Sequence, residues 1–334
     1  MDKKKKMTTG QKILTAVCIL LAIVLILSAG ATIWIHTLLG KIHRIERPVD
    51  VTPPTETNEQ GEVVTLPPTE PTEPVNVLEE NILNILLVGQ DRRAGEGNQR
   101  SDAMILCTLN KEKKTLTMTS FMRDLYVEIP GYYSNRLNVA YAVGGGTLLE
   151  KTILHNFDVK VDHFVEVDLF AFIDIIDVLG GVDIELTAAE ASYLNKVGDP
   201  DFGKQTGWSL HPGVNHLNGS QASAYCRIRA LDSDFGRTER QRKVMTKIFE
   251  DVKAMGVVKA YSILETILPL VTTNMSDADI LSYAYTLLPM MGSIRVVNQR
   301  IPVDGAWRSQ YIRGMAVLVP NLEKNKEFLN ETIK

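Results

Sequence analysis

Hydrophobic and polar positions along this chain fall into three regimes. The first is a nearly uninterrupted apolar run from Ile13 to about Ile35, broken only by Thr15, Ser28, Gly30 and Thr32. About 20 apolar residues are enough for a helix to cross a bilayer, so residues 13–36 are expected to form a single N-terminal transmembrane helix. Lys3 to Lys6 and Lys12 precede it. Basic residues mark the cytoplasmic flank, which makes residues 1–12 a cytoplasmic tail and puts the rest of the chain outside the membrane. Ala29-Gly30-Ala31 has the small residues of a signal-peptidase site. However, the apolar run is longer than the roughly 7–15 residues of a signal h-region and continues through Trp34 and Leu39, which favours a retained signal anchor.

The second regime, residues 37–80, has almost no bulky apolar side chains in its Pro/Thr/Glu-rich part. Pro53-Pro54-Thr55-Glu56, Pro67-Pro68-Thr69-Glu70 and Pro71-Thr72-Glu73-Pro74 form a near-repeat. Such a composition cannot bury a core, and it predicts an extended, acidic, polyproline-type linker.

The third regime, residues 81–334, alternates strand and helix periods. Strands are expected at Ile82–Val88, Ala103–Leu109, Thr115–Phe121, Leu125–Ile129, Val161–Val167, Val182–Leu186 and Ser293–Ile301. Helices are expected at Thr147–Phe157, Leu169–Leu179, Gly219–Tyr225, Arg237–Met255, Val258–Leu268 and Asp277–Leu288, with a last one after Pro320. Alternating strands and helices predict an α/β fold, a three-layer α/β/α sandwich around a mixed central sheet.

Composition changes this picture little. The net charge is −4 and hydrophobic residues make up 45% of the chain, so the third regime can bury a sizeable core as one domain. Three cysteines rule out a disulfide framework. Cys18 falls in the apolar run. Cys107 and Cys226 read as small core residues, with a bridge between them left open by spacing.

The charged residues carry more information. Arginines and aspartates are interleaved in Asp91-Arg92-Arg93, Arg100-Ser101-Asp102, Arg123-Asp124, Arg227-Ile228-Arg229 and Asp232-Ser233-Asp234-Phe235-Gly236-Arg237. A nucleic-acid face would carry basic residues without carboxylates among them. The mixture suits a multiply charged phosphate group held beside a divalent metal. Asp91 ends one expected strand and Asp102 begins the next, so the two carboxylates can meet at one sheet edge. They serve equally well as loop caps. Arg123 follows a strand directly and can act in a site or pair with Asp124 or Glu128 on the surface. Arg227 and Arg229 share one side of an extended piece. Arg237, Arg240, Gln241 and Val244 share a helix face, with Arg237 near the positive helix end that favours phosphate. The G-x-x-x-x-G-K-[ST] phosphate loop, the G-x-S-x-G elbow and zinc spacing are absent.

Five blocks occur in a recognisable order: Asn84 to Asp91, Arg100 to Leu106, Ser120 to Asp124, Arg136 to Ala142, and Arg227-Ile228-Arg229 through Gln241. Together, over about Asn81 to Met255, they resemble the LytR-CpsA-Psr family. The resemblance implies a Mg²⁺-dependent phosphotransferase, with Mn²⁺ as the alternative metal, on the outer face of a Gram-positive cell membrane. It would move an anionic glycopolymer (teichoic acid, capsular or secondary wall polysaccharide) from a polyprenyl-pyrophosphate carrier to a peptidoglycan sugar hydroxyl. Carried over by motif, Asp91 and Asp102 hold the metal. Arg123, Arg136, Arg227, Arg229, Arg237 and Gln241 bind the pyrophosphate, and Asp234 is a candidate general base that would look the same as a helix N-cap. Phe164, Phe170, Phe172, Ile173 and Ile176 are candidates for an apolar lipid slot or plain core. Two alternatives use the same residues: a polyprenyl-pyrophosphate pyrophosphatase, and a non-catalytic envelope regulator that binds lipid-linked polymer.

Overall fold

The structure is a computed structural model that describes residues 34–45, 55–57, 63–65, 81–90, 101–198 and 207–333. The expected transmembrane helix lies almost wholly outside these residues. Among them, no helix is long and apolar enough to cross a membrane. Residues up to 42 form one unit, with a helix over residues 34–39, and residues from 43 onward form a second.

The second unit begins with β1 (His43–Arg44) and a two-stranded ribbon, β2 (Thr55–Thr57) and β3 (Val63–Thr65). Three long strands follow, β4 (Ile82–Gln90), β5 (Ser101–Asn110) and β6 (Thr115–Phe121), then a small ribbon, β7 (Tyr126–Val127) and β8 (Asn135–Arg136). The chain continues through α1 (Leu137–Phe157), β9 (His163–Asp168), α2 (Leu169–Leu179), β10 (Val182–Leu186), α3 (Ala188–Val197), β11 (Gly213–Leu217) and α4 (Gly219–Cys226). It then forms α5 (Asp234–Met255), α6 (Val257–Ile267), β12 (Thr272–Thr273), α7 (Asp277–Leu287), β13 (Arg295–Ile301), β14 (Trp307–Ile312), β15 (Met315–Pro320) and α8 (Leu322–Ile333).

Seven strands make one mixed sheet in the order β1-β12-β9-β4-β5-β6-β13. β4 runs parallel to β9 and antiparallel to β5, and β13 runs parallel to β6. The near-continuous apolar run of β4 is explained by cover on both faces. Leu86 and Val88 of β4, with Met104 and Leu106 of β5, face a core built with Leu148, Leu149 and Ile153 of α1 and Leu329 of α8. On the other face Leu83 and Leu109 pack with Ile294 and Phe249 of α5. A third cluster joins α2, β10, β11, α4 and α5 around Ile176, Ile184, Leu217 and Tyr225.

Several expectations are revised. His43–Arg44 pair with Thr272–Thr273 at the sheet edge. Arg44 also donates to the Met275 carbonyl at 3.0 Å and pairs with Asp277. The stretch read as linker therefore already contributes a strand to the sheet, and β2–β3 form a hairpin inside it. The expected strand Leu125–Ile129 shrinks to Tyr126–Val127: among the described residues it pairs with the two-residue β8, and Leu125 makes an isolated bridge to Leu318. Helix α3 is absent from the sequence reading, yet Thr187 and Glu190 form a complete capping box at its start. Burial raises both Cys107 and Cys226 thiols to about 12, and both are free.

The expected break at the triple glycine survives only at Gly145 (φ 62°, ψ −160°), which kinks α1. Gly146 has a different role: a Cβ there would sit 2.7 Å from the ring of buried Phe164. Gly146→Ala is therefore expected to destabilise the fold by about 1–3 kcal/mol, read as a lower midpoint in urea unfolding. An unchanged midpoint would show that α1 is free to shift away from β9.

Candidate functional site

The site forms where β4, β6 and β9 end and β5 begins. Backbone register builds it in a way that side-chain patterns do not show. Gly89 pairs with Ala103, but Gln90 pairs with Ser101, so the ladder skips Asp102. Bulges of this kind re-aim a side chain beside a site, and here the bulged residue is the expected metal-binding aspartate. Asp91, its expected companion, lies outside the described residues, as do Arg92, Arg93 and Arg100.

Arg123, just past β6, is the hub. Its Nη1 donates to Asp102 Oδ1 at 2.5 Å and its Nε to Asp234 Oδ2 at 3.1 Å, and Asp124 Oδ2 lies 3.6 Å from that Nε. Asp102 accepts a second donor through its other oxygen, Arg229 Nη2 at 3.0 Å. Asp234, in the first turn of α5, also pairs with Arg237 Nη1 at 3.2 Å. Arg237 is 1% exposed. Arg136 Nε lies 3.3 Å from Asp124 Oδ1, while its Nη2 donates to the Ala316 carbonyl at 2.7 Å. Arg136 thus joins the cluster through Asp124.

Burial and neighbouring charge shift the two central carboxyls in opposite directions. Burial works to raise Asp234, but Arg237 and Arg123 hold it below the usual carboxylate range. Burial raises Asp124, and its hydrogen bond to Asp234 adds to this against the pull of Arg123. Asp124 is therefore the carboxyl that holds its proton to the higher pH of the two. Burial also lowers Arg237, with Arg123 as a like-charged neighbour.

Below this charged mouth lies a cavity of about 210 Å³. Asp102, Arg227, Arg229, Arg237 and Gln241 stand at its rim, so the structure gathers five of the expected phosphate and metal residues around one opening. Arg227 does not sit in an extended piece as expected: it caps α4 at φ −107°, ψ 2°. The wall consists of Leu87 and Ile105 from the sheet, Phe172 and Ile175 from α2, and Met245 and Ile248 from α5. Small Gly89 and Ala103 on the sheet leave the space open near the mouth.

Of the five apolar candidates, only Phe172 lines the cavity. Phe164 belongs to the core on the opposite sheet face, Ile176 is core between α2 and α4, and Phe170 is 48% exposed. Ile173 backs onto Gly219, where a Cβ would meet its carbonyl at 2.3 Å. Met245 and Ile248 were findable, since they continue the helix face of Gln241 by four and seven residues.

The donor set fits a hard divalent cation. No three His, Cys, Asp or Glu side chains converge among the described residues, but Mg²⁺ commonly takes only one or two carboxylates and completes its shell with phosphate oxygens and water. Asp102 offers one such carboxylate, beside Arg123 and Arg229.

The fold and site together define an α/β protein with an apolar cavity rimmed by guanidinium and carboxylate groups. The chain belongs to the LytR_cpsA_psr family, which it matches over residues 52–334. It is 34% identical over 220 residues to the polyisoprenyl-teichoic acid–peptidoglycan teichoic acid transferase TagT of Bacillus subtilis, covering 64% of this chain and 66% of that one. It is 30% identical over 258 residues to the regulatory protein MsrR of Staphylococcus aureus, covering 75% of each. Biofilm regulatory protein A of Streptococcus mutans is 32% identical, and the match spans only 50% of its length. Among solved structures, TagT bound to LIIa-WTA superposes with a TM-score of 0.62 at 29% identity, covering 75% of this chain and 89% of that one. TagT with bound octaprenyl pyrophosphate lipid gives 0.57 at 27% identity, covering 75% and 90%.

Asp234 contributes stability above the ordinary carboxylate pKa, and that contribution is lost as pH falls through its lowered value. The contribution of Asp124 has the opposite sign: complete at low pH, it is lost as pH rises through its raised value. Asp124→Asn retains a donor toward Asp234, so its unfolding free energy is expected to stay within about 1 kcal/mol of wild type. Asp234→Asn strands the buried Arg237 cation and is expected to cost about 3 kcal/mol. Equal losses in denaturant titrations would contradict this assignment.

Proposed function

We propose that this chain is a membrane-anchored phosphotransferase acting outside the cell membrane of a Gram-positive envelope. It moves an anionic glycopolymer from a polyprenyl-pyrophosphate carrier to a sugar hydroxyl of peptidoglycan. One observation carries the reading: the arginine–aspartate cluster rims an apolar cavity, so the two chemistries of a polyprenyl pyrophosphate meet at one opening. The names of TagT and the lipid bound in its structure support the substrate class. The apolar stretch of residues 13–36, with lysines ahead of it, supports anchoring and orientation.

Phosphoryl transfer asks mainly for in-line positioning and charge neutralisation. Arg227, Arg229 and Arg237, with Gln241, would grip the two phosphates, and Arg123 would complete the clamp from the β6 side. Asp234, ionised between Arg123 and Arg237, would accept the proton of the attacking hydroxyl. The new bond joins that hydroxyl oxygen to the polymer-bearing phosphorus, and the bond to the bridging oxygen breaks. The products are a phosphodiester and a polyprenyl monophosphate. Arg136 would support the cluster through Asp124. Mg²⁺ or Mn²⁺, held by Asp102 with Asp91, would supply further neutralisation of phosphate charge. The cavity is smaller than the roughly 300–1,000 Å³ of common ligand sites, so a long prenyl tail has to push flexible Met245 aside or extend beyond it.

The test begins with lipid extraction from the purified full-length chain and mass spectrometry, which should yield a polyprenyl phosphate or pyrophosphate. Polymer attachment to peptidoglycan should fall about 10²–10³-fold in Arg229→Ala, the scale for removing one preorganised charge donor, and should stop on metal chelation. Carrier cleavage without polymer attachment would assign hydrolysis instead. Undiminished attachment in Arg123→Ala and Arg227→Ala would leave a regulatory binding role, in line with the naming of MsrR.

A further inference from the structure

Arg240 shares a helix face with Arg237 and Gln241 but does not line the cavity. Its guanidinium reaches the loop that joins α4 to α5. Nη1 and Nη2 clasp the Asp232 carboxylate at 2.8 and 2.7 Å, and Nη2 also donates to the Ile228 carbonyl at 2.7 Å. The Glu190 carboxylate of α3 lies 3.4 Å from Nη1. Arg240 is 5% exposed, and the Ile228 side chain is 1% exposed. A buried cation thus ties down both ends of a short loop, and Arg227 and Arg229 flank the tied carbonyl.

A separate observation points to the same contact. A Cβ on Gly236 would lie 2.1 Å from Asp232 Oδ2. Only glycine in that first turn of α5 lets the Asp232 carboxylate fold over the helix to meet Arg240. Arg229 has a partner of its own in Asp102, across the cavity mouth. Its placement therefore depends on where the loop backbone is held.

We infer that Arg240 is a positioning residue: with Asp232 and Gly236 it locks the loop that presents Arg227 and Arg229 to the anionic head of the ligand. This rests on the pyrophosphate reading for its ligand but not for its geometry. Lysine cannot replace it, because a single ammonium cannot clasp a carboxylate with two parallel bonds while bonding the Ile228 carbonyl.

Removing Arg240 itself takes away the cation beside the buried Glu190 and risks the fold, so the test uses Asp232→Ala and Gly236→Ala, which leave Arg240 with Glu190 and the Ile228 carbonyl. Hydrogen exchange of the ligand-free full-length chain should speed up at residues 227–233 in both variants and remain unchanged in the β4–β6 sheet. Unchanged exchange in the loop would overturn the inference. Farnesyl pyrophosphate titrated calorimetrically should bind each variant about 10- to 100-fold more weakly, the scale of a small misplacement of binding groups. In a double-mutant cycle, Asp232→Ala should add little to the loss caused by Arg227→Ala/Arg229→Ala, because it acts through those side chains. Fully multiplicative losses would overturn the inference. Failure of the wild-type chain to bind farnesyl pyrophosphate, with loop exchange responding as expected, would overturn the ligand reading and leave the lock standing.

Discussion

The buried guanidinium of Arg237 is the constraint around which this site is arranged. Taking a cation out of water costs several kcal/mol unless opposite charge and hydrogen bonds replace the hydration. Asp234, one turn earlier on the same helix, supplies that charge and shares it with Arg123. Arg123 then pairs with Asp102, and Asp102 with Arg229. The alternation of sign joins the end of β6, the bulge of β5, the α4–α5 loop and the first turn of α5. Each cation repels the others, so no member can relax without exposing another. An anionic ligand would relieve that repulsion, so the network that packs these elements would also favour the ligand proposed above.

The cavity depends on a second constraint, the absence of bulk. Gly89 and Ala103 face each other across β4 and β5 at 3.1 Å from a would-be Cβ to the alanine methyl. Larger side chains there would fill the space beneath the charged rim. The bulge that turns Asp102 toward the mouth begins at the same pair. The apolar space and the aim of the Asp102 carboxylate thus have one local cause.

Legibility of the fold follows the range of the interactions. β4, β5, β6, α2 and α5 are plain in the sequence, because apolar periodicity and flanking Gly or polar turns are local signals. The hairpin β14–β15 and helix α3 lie outside the sequence expectations, although the Thr187–Glu190 capping box of α3 is a local signal. β1 could not be read at all. Two residues, His43 and Arg44, have no periodicity, and their strand exists only because Thr272 and Thr273 lie alongside. Among the lipid-slot candidates, the aromatic content of β9 and α2 misled: Phe164 and Phe172 sit on opposite sides of the sheet.

By itself, the sequence determined the kinds of charge available, their order, the helix face that carries Arg237 and Gln241, and the family to which the chain belongs. These follow from residue identity and short spacing. Only the tertiary structure decided that the Asp124 carboxyl is shifted up while Asp234 is shifted down, that Asp102 is a bulge residue, and that Arg240 turns to the loop instead of the cavity. Those outcomes hang on pairs such as Arg123 with Asp234, 111 residues apart. Burial and opposing charge from distant segments set them, and no local pattern encodes that distance.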